Sequence, residues 1–359
     1  MSERLGIETL GAGGDMRGFE SVRERVYTPG PRTPPGPAWP SALWTALPPP
    51  PPEPLAPGTA CLLARRNGEP VARCSILAAS GLHAAPETSG MIGHYEALEG
   101  EAGAALITQA RERLAESAVA RVLGPMNGNT WARYRLALPS EPADPSFDPP
   151  VFPAEPRNPF DYPDHFAAAG FEVAARYESR IDTHLDAAVT EADALAGRVC
   201  EAGVTIRTLD LSRFDDELEA LFRLSLEAFA DNLYYTPIDL DSFRAMYQGT
   251  RALIDPELVL LAHDRSGRLV AYQFAFPDPV SRFEGRATRV IVKTVATAPE
   301  ARGLGIASHM LDLIRERARA KGYRAVIHAL MHVSNFSVRM SVRHQGQIFR
   351  RYALYQWTP

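Results

Sequence analysis

The stretch Arg289-Val290-Ile291-Val292-Lys293-Thr294-Val295-Ala296-Thr297, followed by Ala298-Pro299-Glu300-Ala301-Arg302-Gly303-Leu304-Gly305-Ile306-Ala307, decides the fold of this chain. Its first half is rich in β-branched residues and predicts a strand. Pro299, Gly303 and Gly305 then mark an abrupt turn. Ala307, Met310, Leu311, Ile314 and Ala318 recur at helical spacing, with Ser308, Asp312, Arg315, Glu316 and Arg319 left for the opposite face. A helix therefore starts within the glycine loop. The start of a helix leaves backbone N–H groups unsatisfied and carries partial positive charge, so an entry without bulky side chains makes an anion site. Arg302 adds a charge there or orients the loop.

Other phosphate loops fit less well. A Walker loop needs Gly-Lys-Ser/Thr, which is absent. A dinucleotide fingerprint needs a third glycine or alanine where Ser308 stands and an acidic residue about 20 positions on, and Arg324 to Met331 carries none.

Outward from this loop, Leu258–His263 and Leu269–Phe274 flank a polar turn and predict a hairpin, then a strand over 288–296, a helix over 305–320 and a strand over 325–330. The same order occurs about 200 residues earlier. Ala60–Arg66 and Pro70–Leu77 flank Asn67-Gly68, followed by a strand over 91–98, a helix over 103–117 and a strand over 120–124. Alternating strands and helices predict a mixed α/β sheet, and the repetition predicts an internal duplication into two domains, as does a length of 359 residues. We place one domain at 1–190, with a proline-rich extended excursion at 28–57, a linking helix at 191–202 and the second domain at 203–359.

The net charge of -5 gives no overall electrostatic reason to expect nucleic acid. Cys61, Cys74 and Cys200 are far apart with no partner at metal-ligand spacing, so no metal is expected. No stretch approaches the roughly 18 apolar residues of a membrane span, and the first residues do not form a secretory signal. The expectation is a cytoplasmic protein, monomeric or homodimeric, without membrane or nucleic-acid partners.

Arg302-Gly303-Leu304-Gly305-Ile306-Ala307 resembles the signature of the GNAT superfamily of acyl-CoA N-acyltransferases, Arg/Gln-x-x-Gly-x-Gly/Ala between a central strand and a helix. The resemblance implies two tandem GNAT-like domains and an N-acetyltransferase that moves an acetyl group from acetyl-CoA to a primary amine of a small molecule or peptide. It implies cofactor contacts from Arg302 to Ala307 and Ser308, an oxyanion role for the backbone of Val295, Ala296 and Thr297, and a contact from Asn335. Asn335 also suits a helix N-cap.

The family's usual glutamate and tyrosine are missing: Val290, Ile291 and Val292 occupy the strand positions, and Val342 the tyrosine position. The acid and base stay open, with Asp231, Tyr234 and Tyr235 as candidates and His332 and His344 as weaker ones. The absence of the usual pair keeps a non-catalytic CoA-binding or sensory module as the alternative, and a longer acyl donor is equally compatible with the loop. In the first domain the corresponding loop is Glu99-Gly100-Glu101-Ala102-Gly103-Ala104-Ala105, without arginine and with two carboxylates, which predicts a degenerate copy that does not hold CoA.

Overall fold

In a computed structural model the chain is described at residues 4–11, 14–28, 50–139, 151–247 and 251–359. It divides into two compact units. Unit 1 comprises Met1–Arg176, Leu233–Thr236 and Arg351–Pro359, and unit 2 comprises Tyr177–Asn232 and Pro237–Arg350. The sequence placed the division near residue 190. The expected linker at 191–202 is a helix, α4 (Ala192–Glu201), inside unit 2. Most of the proline-rich excursion falls outside the described residues.

In unit 1 the elements are β1 (Leu5–Leu10), α1 (Met16–Tyr27), β2 (Ala60–Arg66), β3 (Glu69–Ala79), β4 (Ser89–Ala97), α2 (Gly100–Ala115), β5 (Arg121–Gly124), β6 (Leu136–Ala137) and α3 (Tyr162–Ala168). The turn between β2 and β3 is Asn67-Gly68, both at positive φ (51° and 88°), as a tight hairpin requires. The sheet runs β1-β2-β3-β4-β5 and is completed by the chain's last strand, β15 (Gln347–Trp357), through its residues 352–357. Among the described residues of this unit, only the β4–β5 pair is parallel. Leu106, Ile107 and Ala110 of α2 pack against Leu62, Ile92 and Val122 of the sheet to form the core. Arg66 bridges Glu99 and Glu101 at the start of α2.

Unit 2 repeats the arrangement. Strand β8 (Thr205–Thr208) precedes α5 (Phe214–Ala228) and α6 (Leu240–Tyr247). Next come β9 (Val259–His263), β10 (Leu269–Pro277), a small hairpin β11–β12 (Arg282–Phe283 and Arg286–Ala287) and β13 (Arg289–Thr297). Helix α7 (Ile306–Ala320), β14 (Ala325–His332) and α8 (Phe336–Arg343) complete the order. The sheet runs β8-β9-β10-β13-β14 and ends on residues 177–182 of β7 (Glu172–Asp182), again with one parallel pair, β13–β14. The mixed α/β architecture and the duplicated strand order thus agree with the sequence reading.

Packing ties this sheet to its helices. Tyr272 of β10 is buried and its hydroxyl lies 2.6 Å from Ser225 Oγ on α5. His328 of β14 is 4% exposed, with Nδ1 at 2.6 Å from Ser341 Oγ on α8. Burial, with the charges of Arg180 and Arg315 nearby, pushes its pKa down to about 3, so the ring is neutral at neutral pH. The unfolded chain, where histidine titrates near ~6.5, therefore takes up this proton first. The stability contributed by the neutral ring is full above pH ~6.5 and is lost as pH falls toward 3. Denaturant midpoints measured across that window are expected to fall less steeply in His328→Gln than in the wild type, by up to about 1 kcal/mol per pH unit.

Candidate acyl-CoA cleft

The site in unit 2 follows from how β13 leaves its neighbour. Its parallel pairing with β14 runs from Arg289↔Ala325 to Val292↔His328 and stops there, while β13 stays paired to β10 as far as Thr297. A register shift sits at the same point, because Phe274 faces Thr294 and Ala275 faces Val292. The extra residue, Lys293, bends the strand away, as bulges do. Beyond Val292 the strand has no ladder partner on the β14 side among the described residues. A cleft of about 670 Å³ opens there and extends to the glycine loop.

The loop is shaped for an anion. Gly303 and Gly305 have φ of 85° and 83°, the left-handed region that a side chain disfavours. Gly305 is the N-cap of α7, and no side chain caps the helix. The first N–H groups of α7 are therefore left for a ligand. Arg302 donates from Nη2 to the carbonyl of Ala228 at 3.0 Å and lies 3.6 Å from Asp231. It anchors the loop to the end of α5, and its half-exposed guanidinium stays at the mouth of the cleft.

Of the predicted residues, Val295 and Thr297 line the cleft from β13. Arg302, Gly303, Gly305, Ile306, Ala307 and Ser308 line it from the loop and helix. Asn335 lines it at the N-cap of α8, and its side chain makes no capping hydrogen bond. Ala296 is buried and Leu304 is 42% exposed, and neither is among the lining residues.

The proton-transfer candidates are dispersed. Asp231 lies on the rim beside Arg302. Tyr234 and Tyr235 belong to unit 1, where the Tyr234 N–H donates to the His83 carbonyl and the His83 N–H donates to that of Tyr235, each at 3.0 Å. Tyr235 is buried with its ring 5.9 Å from that of Trp131, and burial pushes its pKa up. Neither tyrosine lines the cleft of unit 2. His344 is buried under α8, with Nε2 2.7 Å from Asp312 Oδ1 and Nδ1 2.8 Å from the Met340 carbonyl. His332 is held at 2.7 Å by Ser334.

Residues that sequence reasoning did not single out complete the wall: Phe229 and Asn232 after α5, and Phe336, Ser337 and Met340 of α8. Phe336 is 59% exposed, an apolar ring at the cleft that only the geometry of α8 places there.

In unit 1 the equivalent region is filled by its own chain. The parallel pairing of β4 and β5 stops at Met91↔Leu123. The next groups are occupied: the Met126 N–H donates to the Ile92 carbonyl at 2.8 Å, and the His94 N–H donates to Asn127 Oδ1 at 2.7 Å. A side chain at Gly103 would meet Tyr95 Oη at 2.2 Å, and one at Gly100 would meet His165 Nε2 at 3.0 Å. No glycine of this loop takes a positive φ.

The strand that parts from its parallel neighbour and the uncapped, glycine-bounded helix start thus open on one cleft. Residues 218–344 match the model of the acetyltransferase (GNAT) family. Among curated proteins, none matches the sequence.

Solved structures agree on the fold. The tandem GNAT protein from the clavulanic acid biosynthesis pathway aligns over 99% of this chain and 98% of its own, with a TM-score of 0.51 and 12% identity. A probable N-acyltransferase from Enterococcus faecalis V583 aligns over 99% of this chain and 72% of its own, with a TM-score of 0.55 and 11% identity. The GCN5-related glucosamine N-acetyltransferase region of a fungal multi-domain GH3 β-N-acetylglucosaminidase aligns at a TM-score of 0.56 and 14% identity. That match covers 99% of this chain, which spans 38% of the fungal protein. Among the described residues, no group of three His, Cys, Asp or Glu is placed to hold a metal, and no helix is long and apolar enough to cross a membrane.

Proposed function

We propose that the protein is an N-acetyltransferase that binds acetyl-CoA in the cleft of unit 2 and acetylates a primary amine of a small molecule or peptide. The observation that carries this reading is the continuity of one cleft from the uncapped start of α7 to the unpaired edge of β13. The pyrophosphate would sit on the N–H groups of Ile306, Ala307 and Ser308, with Asn335 alongside the pantetheine arm. The backbone of Val295 to Thr297 would polarise the thioester carbonyl. The amine nitrogen then bonds to the acyl carbon, the carbon–sulfur bond breaks, and the sulfur leaves as thiolate and takes up the proton that the amine releases. Release of free thiol from acetyl-CoA across a panel of amines tests the reaction, and no release with any amine would count against it.

One observation favours the second reading, a CoA-binding module without turnover. Among the described lining residues Asp231 is the one carboxylate, and it lies beside Arg302 at the anion end. Tight CoA binding with no turnover would support that reading.

Unit 1 we infer to be a degenerate copy that holds no CoA, because its splay and its loop are both occupied. Calorimetry is expected to give one CoA site per chain. Glu101→Ala is expected to leave CoA affinity unchanged and to alter stability by less than about 1 kcal/mol, since Glu101 is an exposed partner of Arg66.

A further inference from the structure

On the side of the unit 1 sheet that α1 covers lies a cluster of charges that the acyltransferase reading does not use. Arg73 of β3 lies over the Phe19 ring and pairs with Glu96 of β4 and Glu20 of α1. Arg133 pairs with Glu53 at 2.7 Å, and Glu53 also accepts from Asn127 Nδ2 at 2.7 Å.

Arg157 is different. Its guanidinium lies 4.6 Å from the centre of the Tyr27 ring, and the Tyr27 hydroxyl donates to the Arg157 backbone carbonyl at 2.6 Å. Yet Arg157 Nε and Nη2 are buried and have no hydrogen-bond partner. These two nitrogens form the edge of the guanidinium whose N–H bonds run parallel, the fork that matches both oxygens of a carboxylate.

A second orphan lies on the same face. His94 is 8% exposed and holds a positive φ of 46°. Its Nδ1 is 2.7 Å from Ser75 Oγ, and its Nε2 is buried without a partner. Burial, with Arg73 nearby, pushes its pKa down to about 4, so it meets a ligand as a neutral ring. Contacts link the three: the His94 N–H donates to Asn127, which donates to Glu53, the partner of Arg133; Arg133 and Arg23 donate to the adjacent carbonyls of Pro51 and Pro50, and Arg157 lies over Tyr27, one turn along α1 from Arg23. Leaving a buried polar group unpaired costs about 1–3 kcal/mol, and folded proteins keep few such groups. Backbone strain of this kind concentrates at ligand sites.

We propose that unit 1 binds a small monocarboxylate at Arg157, Arg133 and His94, with the Nε/Nη2 fork of Arg157 taking both carboxylate oxygens. The charge balance sets the class. Arg23, Arg73 and Arg133 are matched by Glu20, Glu96 and Glu53, three against three, so Arg157 is the cation left over among these described residues. One excess charge suits a monoanion, whereas a dianion would meet Glu53 and Glu96 without further compensation. Asn127, Arg133 and Arg157 are half-buried, so the cluster lies close to the surface of unit 1.

The test is calorimetric titration of the full chain, in carboxylate-free buffer, with sodium acetate, propionate and benzoate, and with benzamide and sulfate as controls. One site per chain is expected for at least one carboxylate, with no binding of benzamide or sulfate. Arg157→Lys, which keeps the charge but lacks the fork, is expected to weaken binding at least about tenfold. In the wild type labelled with 15N-histidine, the His94 Nε2 resonance is expected to move on saturation, a readout that does not depend on how the variant folds. No binding of any carboxylate, equal binding of sulfate, an unmoved His94 resonance or unchanged affinity in Arg157→Lys would each overturn the proposal. So would binding that saturating coenzyme A abolishes, since that would move the carboxylate to the cleft of unit 2.

Discussion

Gly305→Val is expected to abolish measurable binding of coenzyme A. Gly305 caps α7 at φ 83°, and a side chain there raises two separate difficulties. A left-handed backbone costs an L-residue about 1–2 kcal/mol, most for a β-branched one. The Cβ would also stand 2.3 Å from Leu195 Cδ1 of α4, so either that leucine or the loop must shift. If the loop shifts, the N–H groups of α7 no longer converge on the proposed pyrophosphate site. Each charge-assisted hydrogen bond is worth about 1.5–3 kcal/mol, so losing two weakens binding by at least ~100-fold. Titration calorimetry with coenzyme A checks this. Gly305→Ala carries the backbone penalty with a smaller side chain and should fall between valine and wild type. Wild-type affinity in Gly305→Val would remove the loop from the site.

The largest expected loss of stability is for Arg315→Met. Arg315 on α7 donates to Asp182 Oδ2 at 2.7 Å, to the Ala187 carbonyl at 2.8 Å and to the His184 carbonyl. Asp182 is fully buried and Arg315 nearly so. Methionine fills much of the same volume but leaves the Asp182 carboxylate buried with only the His184 N–H at 2.8 Å. Breaking a buried pair from one side costs about 3–5 kcal/mol, whereas replacing both members by apolar residues is often close to neutral. Thermal and denaturant midpoints are therefore expected to drop sharply in Arg315→Met and to recover in Arg315→Met/Asp182→Leu. The pair joins α7 to residues 177–182, so the single variant should also loosen the wall that the cleft needs. An unchanged midpoint in Arg315→Met would show that the pair does not hold the helix.

Much of the fold was legible in the sequence because it is carried by local patterns. Asn67-Gly68 demands a tight turn wherever it lies, and β2 and β3 follow from it. The β-branched run at 289–297 and the spacing of Met310, Leu311 and Ile314 predict β13 and α7 to within a residue or two. Gly303 and Gly305 are also local: positive φ at a helix start needs glycine, and both positions show it.

The rest depends on which distant segments meet. No local pattern says that residues 352–357 complete the sheet of unit 1, or that 177–182 close that of unit 2, because strand pairing partners are chosen by the packed whole. Tyr234 and Tyr235 illustrate the limit: their position between two helices of unit 2 suggested the acceptor site, and hydrogen bonds to His83 and packing on Trp131 place them in unit 1. The orphan nitrogens of Arg157 and His94 are equally invisible in sequence, since an unpaired buried group is defined by everything around it. By itself, then, the sequence determined the strand, glycine loop and helix, through backbone preferences acting over a few residues. The tertiary structure alone decided where β13 parts from β14, what lines the resulting cleft and which charges are left without partners, because those follow from contacts between segments far apart in the chain.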